Sequence, residues 1–324
     1  MALRIVDNRA AQVVRDVVYG FPRAAIRSRS LRMTPSPHPP DAGDGVPADK
    51  GERIAKRLAR AGLCSRRDAE RWIAEGRVVV DGQRIDTPAT LVTAASDIRV
   101  DGNPVAAPQR ARLWLYHKPV GLVVTAHDPE GRPTVFDALP RDMPRVVSVG
   151  RLDLNSEGLL LLTNDGALAR RLELPSSGWT RRYRVRAHGQ IEQAALDRLR
   201  DGVVIDGIAY GGIEAHIDRQ QRSNLWLNVA LKEGRNREVR RVMAHLGLGV
   251  NRLIRVAFGP FTLNDLPAGA VIEASPRLVS QVSGDADVDA SGRKPGWARP
   301  KPRDERRRPG RQQARHKAGS AGAR

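Results

Sequence analysis

Apolar residues recur with two different periods along this chain, and the changes of period outline its folded regions. In the first region, Ile54, Leu58 and Ala61 fall at helical spacing. A Ser-Arg-Arg-Asp start at 65–68 has the spacing of a capping box and predicts a second helix through Trp72 and Ile73. Valines at 78–80 and an Asp-Gly pair at 81–82 then predict a hairpin. The pattern indicates a small domain over residues 52–100.

A second region begins at residue 113 and is built around a run of four leucines at 159–162. A short apolar run closed by Asn-Asp-Gly is typical of a strand covered on both faces, although a buried helical turn has the same pattern. Residues 181–187 alternate, with arginines on one face and Tyr183 and Val185 on the other, as in a strand. We predict a helix at 191–199, a hairpin around Gly211-Gly212 and 226–231, and a helix with an apolar face at 239–246.

The flanks have no such periodicity. Residues 1–51 include a Pro-rich segment and predict a disordered leader, and residues 101–112 read as a linker between the two domains. Residues 1–33 have the composition of a transit peptide, and a reading frame extended upstream of Met33 accounts for them equally. Residues 281–324 predict a disordered basic tail, with twelve Lys and Arg between 291 and 324 against two acids.

Charge changes the picture most. The chain has 55 Lys and Arg against 36 Asp and Glu, a net charge of +19, which indicates a polyanionic partner. A membrane surface is the competing partner, but no apolar run approaches the roughly 18 residues of a spanning helix and no basic amphipathic helix has an aromatic face. The single Cys64 allows no internal disulfide and indicates a reducing, cytoplasmic compartment. The seven histidines have no ligand-like spacing, so we expect no metal.

Cations cluster on the first two predicted helices. The predicted surface consists of Arg53, Lys56, Arg57, Arg60, Arg66 and Arg67. A solvated helix face is the simplest explanation of such a stripe, but like charges on one face repel, and few acids lie among them. We therefore expect this surface to bind an anion. The turn at 58–67 (LARAGLCSRR) and the hairpin at 75–82 (EGRVVVDG) resemble the S4 RNA-binding domain, which implies that the anion is RNA.

Asp153 lies in a polar turn, GRLDLNSEG at 150–158, directly before the leucine run. An aspartate in such a turn is commonly an Asx-turn or capping residue. Three further segments change that interpretation: KPVG at 118–121, GRPTV at 131–135 and EGRNREVRR at 233–241. Taken alone, the second would be a surface loop and the third a phosphate-binding helix start. Together with Arg-Leu-Asp and SEGLL, in this order and spacing, they resemble the RsuA-type pseudouridine synthases.

That resemblance implies roles for individual residues. Asp153 would be the catalytic residue and Arg240 its partner. Tyr183 would pack on the target base, although a core tyrosine is the plainer interpretation of its inward position. Arg151 would occupy the place that a flipped uridine vacates, and Leu253 or Ile254 would close the other face of the base. Arg235 and Arg237 would bind the substrate, and the reaction would need no metal and no cofactor.

The expected architecture is α+β, with an S4 domain followed by a synthase domain over 113–280 built on a mixed, largely antiparallel sheet with flanking helices. The expected reaction is conversion of uridine to pseudouridine in ribosomal RNA. The loop at 128–137, the LIRV segment at 253–256 and the tail are most similar to large-subunit members of the family, which implies 23S rRNA or an assembling large subunit as the partner of a monomeric enzyme. A small-subunit 16S rRNA enzyme and a non-catalytic rRNA-binding assembly factor are the alternatives.

Overall fold

A computed structural model describes residues 51–284. Nearly all of the predicted leader and of the predicted tail lie outside these residues. The tail prediction is wrong at its start, because the last helix continues past residue 280 to Ser283. Val279 and Val282 of that helix are buried, and their packing explains why the folded region extends this far.

The first region contains two helices and six short strands. They are β1 (Glu52–Arg53), α1 (Ile54–Arg60), α2 (Arg66–Ala74), β2 (Val78–Val80), β3 (Gln83–Arg84), β4 (Leu91–Val92), β5 (Ile98–Val100) and β6 (Asn103–Pro104). The predicted capping box is confirmed, since the backbone N–H of Asp68 donates to the Ser65 hydroxyl and the Asp68 carboxylate accepts from the Ser65 N–H. The predicted hairpin is β2–β3. Because β6 pairs with β5, part of the predicted 101–112 linker belongs to this domain's sheet.

The second region forms a nine-stranded sheet with helices beside it. Its elements are β7 (Leu113–Lys118), β8 (Val147–Ser148), β9 (Glu157–Thr163), α3 (Gly166–Glu173), β10 (Arg181–His188), α4 (Gln193–Asp197), β11 (Val203–Ile205), β12 (Ile208–Tyr210), β13 (Ile213–Gln221), β14 (Asn224–Leu231), α5 (Glu238–His245), β15 (Gly249–Phe258), β16 (Phe261–Thr262), β17 (Val271–Glu273) and α6 (Pro276–Ser283). The β11–β12 pair forms a separate ribbon. In the large sheet the order is β13-β14-β10-β15-β9-β7-β17, and β15–β9 is its parallel pair. The mixed, largely antiparallel sheet that we predicted is confirmed.

The leucine run is a strand, as predicted, and it occupies the middle of the sheet. Leu159 and Leu161 face one hydrophobic cluster, with Phe258 and residues of α3 and α6. Leu160 and Leu162 face the opposite cluster. All four leucines are fully buried, which explains why the run lacks polar alternation. Their pairing with β7 residue by residue excludes the helical turn.

Gly158 sets how closely β15 approaches β9. It has φ of +105°, and a Cβ atom at this position would lie 2.3 Å from the carbonyl oxygen of Arg255. Only glycine fits such a contact.

The hairpin that we predicted around Gly211-Gly212 exists, but the position of its turn was wrong. Those glycines connect β12 to β13, and the two-residue turn of the hairpin is Arg222-Ser223, between β13 and β14.

Candidate active site

A pocket of about 670 Å³ opens where β10 and β15 meet the turn before β9 and the start of α5. Six of the predicted site residues line it: Arg151, Asp153, Tyr183, Arg235, Arg237 and Leu253. Two predicted residues, Arg240 and Ile254, do not. The pocket therefore gathers side chains from four separate segments around the carboxylate of Asp153.

Asp153 lies in the turn between β8 and β9. Leu152 beside it is buried in the cluster under the leucine strand and anchors the turn, while the Asp153 side chain keeps 25% of its surface exposed. The backbone N–H of Ser156 donates to the Asp153 carbonyl oxygen at 3.0 Å, which closes the turn. The carboxylate is thus held by a rigid neighbour yet remains accessible from the pocket.

Lys118, at the end of β7, holds this turn from beneath. Its side chain is completely buried, and its ammonium group donates to the carbonyl oxygens of Ser156 at 2.8 Å and Asp153 at 3.1 Å. It also contacts the carbonyl oxygens of Pro119 and Leu154. Burial lowers the pKa of Lys118 to about 8, opposed by the negative charges of Asp153 and Glu157. The sequence analysis noted this lysine only as part of the KPVG motif. Its position at the end of a buried strand could have indicated that it belongs to the site.

The ion pair to Asp153 comes from a different arginine than expected. Nη1 of Arg237 lies 3.6 Å from Oδ2 of Asp153. Arg240, predicted as the partner, instead donates to the carbonyl oxygens of Asn155 at 2.8 Å and Val250 at 3.1 Å. Arg237 lies just before α5 and has a left-handed backbone conformation, with φ of +52°. Burial, together with the positive charge of Arg237, lowers the pKa of Arg240, and the negative charge of Asp153 opposes this shift.

Tyr183 is 9% exposed and stands beside Arg255, its partner across β10 and β15. Burial lowers the pKa of Arg255, and attraction to the phenol oxygen of Tyr183 opposes this shift. The guanidinium carbons of Arg255 and Arg181 lie 5.4 and 4.8 Å from the ring centre of Phe258. Arg181 is satisfied by the carbonyl oxygens of Glu173, Trp179 and Lys232. Sequence reasoning did not assign either buried arginine to the site.

Leu253 and Ile254, the two residues predicted to close one face of the target base, point to opposite sides of β15. Leu253 faces the pocket, whereas Ile254 packs on the opposite cluster with Phe258 and Leu161. The prediction that left both open therefore narrows to Leu253.

Several cations of the predicted S4 surface have acidic partners, which we did not expect. Lys56, Arg57 and Arg60 all lie within 4 Å of the Glu52 carboxylate, and Arg60 also pairs with Asp165 at 3.4 Å. The expectation that these cations lack acidic partners holds only in part, because the single carboxylate of Glu52, just before the helix, is shared by three of them. Three of the predicted RNA-binding cations remain exposed: Arg53, Arg66 and Arg67.

Within residues 51–284, we find no group of three or more side chains that could hold a metal ion. No helix in that part of the chain is both long and apolar enough to cross a membrane.

Comparison with known proteins identifies the family to which this chain belongs. A family model described as RNA pseudouridylate synthase matches residues 112–245, and the S4 domain model matches residues 52–98. An RNA pseudouridine synthase of Rickettsia felis is 48% identical over 230 residues, covering 71% of this chain and all of that protein. The chain belongs to the RNA pseudouridine synthase family, and it is an enzyme that isomerises uridine in RNA.

The chain is also similar to proteins whose names are more specific. The ribosomal large subunit pseudouridine synthase B of Pasteurella multocida is 46% identical over 235 residues, covering 69% of this chain and 67% of that protein. Its Pseudomonas aeruginosa counterpart is 44% identical over 240 residues, covering 72% of this chain and 62% of its own. A solved pseudouridylate synthase structure has a TM-score of 0.52 at 22% identity, over 71% of this chain and 99% of that one, and supports the fold.

Proposed function

We propose that this enzyme converts a uridine of large-subunit ribosomal RNA to pseudouridine in the pocket around Asp153. The observation that carries the proposal is that one carboxylate, one cation and one tyrosine, from three segments distant in sequence, converge on a pocket large enough for a nucleoside. A binding module would need the surrounding cations but not this convergence. The relatives named for the large subunit support the choice of RNA.

The proposed reaction breaks the bond between N1 of uracil and C1′ of ribose, rotates the base and forms a bond from C5 to C1′. The proton on C5 leaves and N1 gains one, so that no oxidant, metal or energy source is consumed. Asp153 is the group that starts the exchange, as a nucleophile toward the base or the sugar, or as a base that assists elimination. The guanidinium of Arg237, 3.6 Å away, stabilises its negative charge.

Tyr183 and Leu253 would hold the detached base between them. Tyr183 is fixed by its position on β10, and Leu253 lies on the neighbouring strand and faces the same pocket. A stacked aromatic ring contributes about 1–3 kcal/mol per base, enough to keep uracil in place during rotation. The Tyr183 hydroxyl could in addition carry the proton from C5.

Arg151 and the exposed S4 cations would handle the rest of the RNA. Arg151 is exposed at the pocket mouth, where a guanidinium can stack in the place of the flipped uridine. Flipping costs a few kcal/mol, which such contacts can supply. Arg235, at the pocket rim, would contact the flanking phosphate, and Arg53, Arg66 and Arg67 would hold a neighbouring RNA segment. We also propose that the enzyme acts as a monomer in the cytoplasm, on rRNA or on an assembling large subunit.

The experiment that tests this proposal is complementation. Pseudouridines in both rRNAs are mapped by carbodiimide-primed reverse transcription in cells that lack the gene, and in the same cells carrying wild type or Asp153→Asn. We expect one 23S rRNA position to be lost and restored by wild type only. Loss of a 16S rRNA position would favour the small-subunit alternative. An unchanged map together with a large-subunit assembly defect would favour the non-catalytic factor.

A further inference from the structure

The sheet has a second surface that the pocket does not use. On β10, Tyr183 points to the pocket, and the alternate residues Arg184 and Arg186 point to the opposite side. We call this side the arginine face and define it by Arg184, Arg186, Arg219, Arg222, Trp226 and Arg252. No helix is among the elements that carry these residues, which all lie on β10, β13, β14, β15 and the β13–β14 turn.

Strand pairing arranges these residues in a row. Arg186 lies opposite Trp226 on one side and Arg252 on the other, and Trp226 lies opposite Arg219. Directly opposed residues share a face, so the four side chains form a line across four strands. Three strand spacings of about 4.8 Å give the line a length of about 14 Å. Arg222 in the adjoining turn borders the same open cleft, of about 700 Å³.

Positive charge dominates the arginine face. Of its five guanidinium groups, Arg184 pairs with Asp218 at 3.3 Å, and Arg252 pairs with Glu157 at 2.6 Å. Arg186, Arg219 and Arg222 have no carboxylate within ion-pair distance anywhere in residues 51–284. Arg186 lies opposite Arg252, whose charge Glu157 offsets, so the uncompensated charge of the face belongs to Arg186, Arg219 and Arg222. All three border the cleft, and an anionic ligand there would relieve the repulsion among them.

Two further observations concern how the arginines of this face are held. The Arg184 guanidinium lies 4.7 Å from the ring centre of Trp226, which holds the cation in place on the sheet surface. Arg222 occupies a left-handed position, with φ of +53°, in a two-residue hairpin turn where Gly, Asn or Asp is favoured. The hairpin tip thus carries a cation at a position that arginine does not favour. Guanidinium groups suit phosphate, to which they can donate two parallel hydrogen bonds.

We propose that the arginine face binds the phosphate backbone of an rRNA segment separate from the segment that delivers the uridine. The pocket and the arginine face are on opposite sides of β10, so one short strand cannot occupy both without crossing the sheet edge. The substrate recognised at this face is thus a folded RNA with two arms, not an isolated stem-loop. The inference rests on the proposed function only in taking rRNA as the substrate.

The test compares two triple variants. Arg186→Gln/Arg219→Gln/Arg222→Gln removes the three unpaired cations of the face, and Arg141→Gln/Arg198→Gln/Arg277→Gln removes three exposed arginines elsewhere. Binding to protein-free 23S rRNA is measured for each variant and for wild type over a salt series. Each phosphate contact contributes about 0.7 to 0.9 to the slope of log K against log salt, so the first triple should flatten the slope by roughly 2. The second triple should leave it unchanged.

A difference of less than one unit between the two triples would overturn the proposal. A second measurement does not depend on how the triple variants fold. An iron chelate tethered at Ser223→Cys, in the turn beside Arg222, should cleave 23S rRNA in one segment distinct from the modified uridine, and a chelate at Arg277→Cys should not. The native Cys64 is buried and will not be labelled. Absence of cleavage from position 223 would also overturn the proposal.

Failure of the proposed function would look different. Pseudouridine formation by wild type is measured on the same RNA. If wild type makes no pseudouridine there, the proposed substrate is wrong, while the slopes and the cleavage pattern still report on the arginine face.

Discussion

The ammonium group of Lys118 and the backbone carbonyl oxygen of Asp153 lie 3.1 Å apart, in a site where the lysine is completely buried. The contact joins the end of β7 to the turn that carries the catalytic candidate. Lys118 therefore positions the Asp153 carboxylate by holding the backbone of Asp153, and it need not touch the substrate to do so. Lys118 is accordingly a positioning residue.

Lys118→Met should lower kcat strongly, by on the order of tenfold or more, and change KM little, because the turn carbonyls lose their shared donor. Unsatisfied buried carbonyls should also destabilise the protein by about 1–3 kcal/mol. Tritium release from 5-tritiated uridine RNA measures the first effect and urea denaturation the second. Equal kcat for the variant and wild type would remove Lys118 from the positioning role.

The pH dependence of this contact has a defined sign. Lys118 has a pKa of about 8 in the folded protein, below its ordinary value of about 10.4. Between these values the unfolded chain binds more protons, so the free energy of unfolding of wild type should rise with pH relative to Lys118→Met. Activity should fall over the same range, because the neutral amine donates fewer hydrogen bonds to the turn. Parallel pH profiles for the two proteins would contradict this assignment.

Substitutions of Arg237 and Arg240 should affect different properties, the first the rate and the second the stability. Arg237→Gln removes the ion pair to Asp153 and should lower kcat, but its side chain is 50% exposed, so stability should change by less than about 1 kcal/mol. Arg240→Gln should instead reduce stability, since two backbone carbonyls lose a donor. Urea denaturation and single-turnover rates for both variants measure this division. The reverse pattern would restore Arg240 as the direct partner.

Gly158→Ala should be severely destabilising, by roughly 3 kcal/mol or more, because its methyl group would overlap the backbone of Arg255. Gly121→Ala is the matched control. Gly121 also has positive φ, +88°, but nothing lies within 4 Å of an added Cβ, so only the backbone cost of about 1–2 kcal/mol applies. Equal urea midpoints for the two variants would show that β9 and β15 can move apart without a loss of stability.

Tyr183→Phe and Tyr183→Ala distinguish the two proposed roles of this residue. If the hydroxyl moves a proton, Phe slows single turnover but retains RNA affinity, whereas Ala also loses the stacking surface, about 1–3 kcal/mol per base. Single-turnover rates and RNA affinities are measured for both. Identical rates for wild type and Phe would leave stacking as the only role.

The two-domain α+β organisation, the central leucine strand and the alternation of β10 were all predictable, because local hydrophobic periods and turn residues determine them. The contacts of Arg237 and Arg240 were not. Both arginines lie in one motif, and the motif alone does not tell that Arg237 contacts Asp153 while Arg240 binds two backbone carbonyl groups. The partial compensation of the S4 cations by Glu52 was missed for a similar reason, since this carboxylate lies outside the helix that carries Lys56, Arg57 and Arg60. Long-range contacts of this kind have no local signal.

Asp153→Asn tests the central claim most directly. The change removes charge and nucleophilicity but little volume, so RNA affinity should remain near that of wild type while tritium release falls by about a hundredfold or more. Both quantities are measured on the same 23S rRNA under single-turnover conditions. If the variant releases tritium at more than a few per cent of the wild-type rate, Asp153 does not start the reaction and the proposed mechanism is wrong.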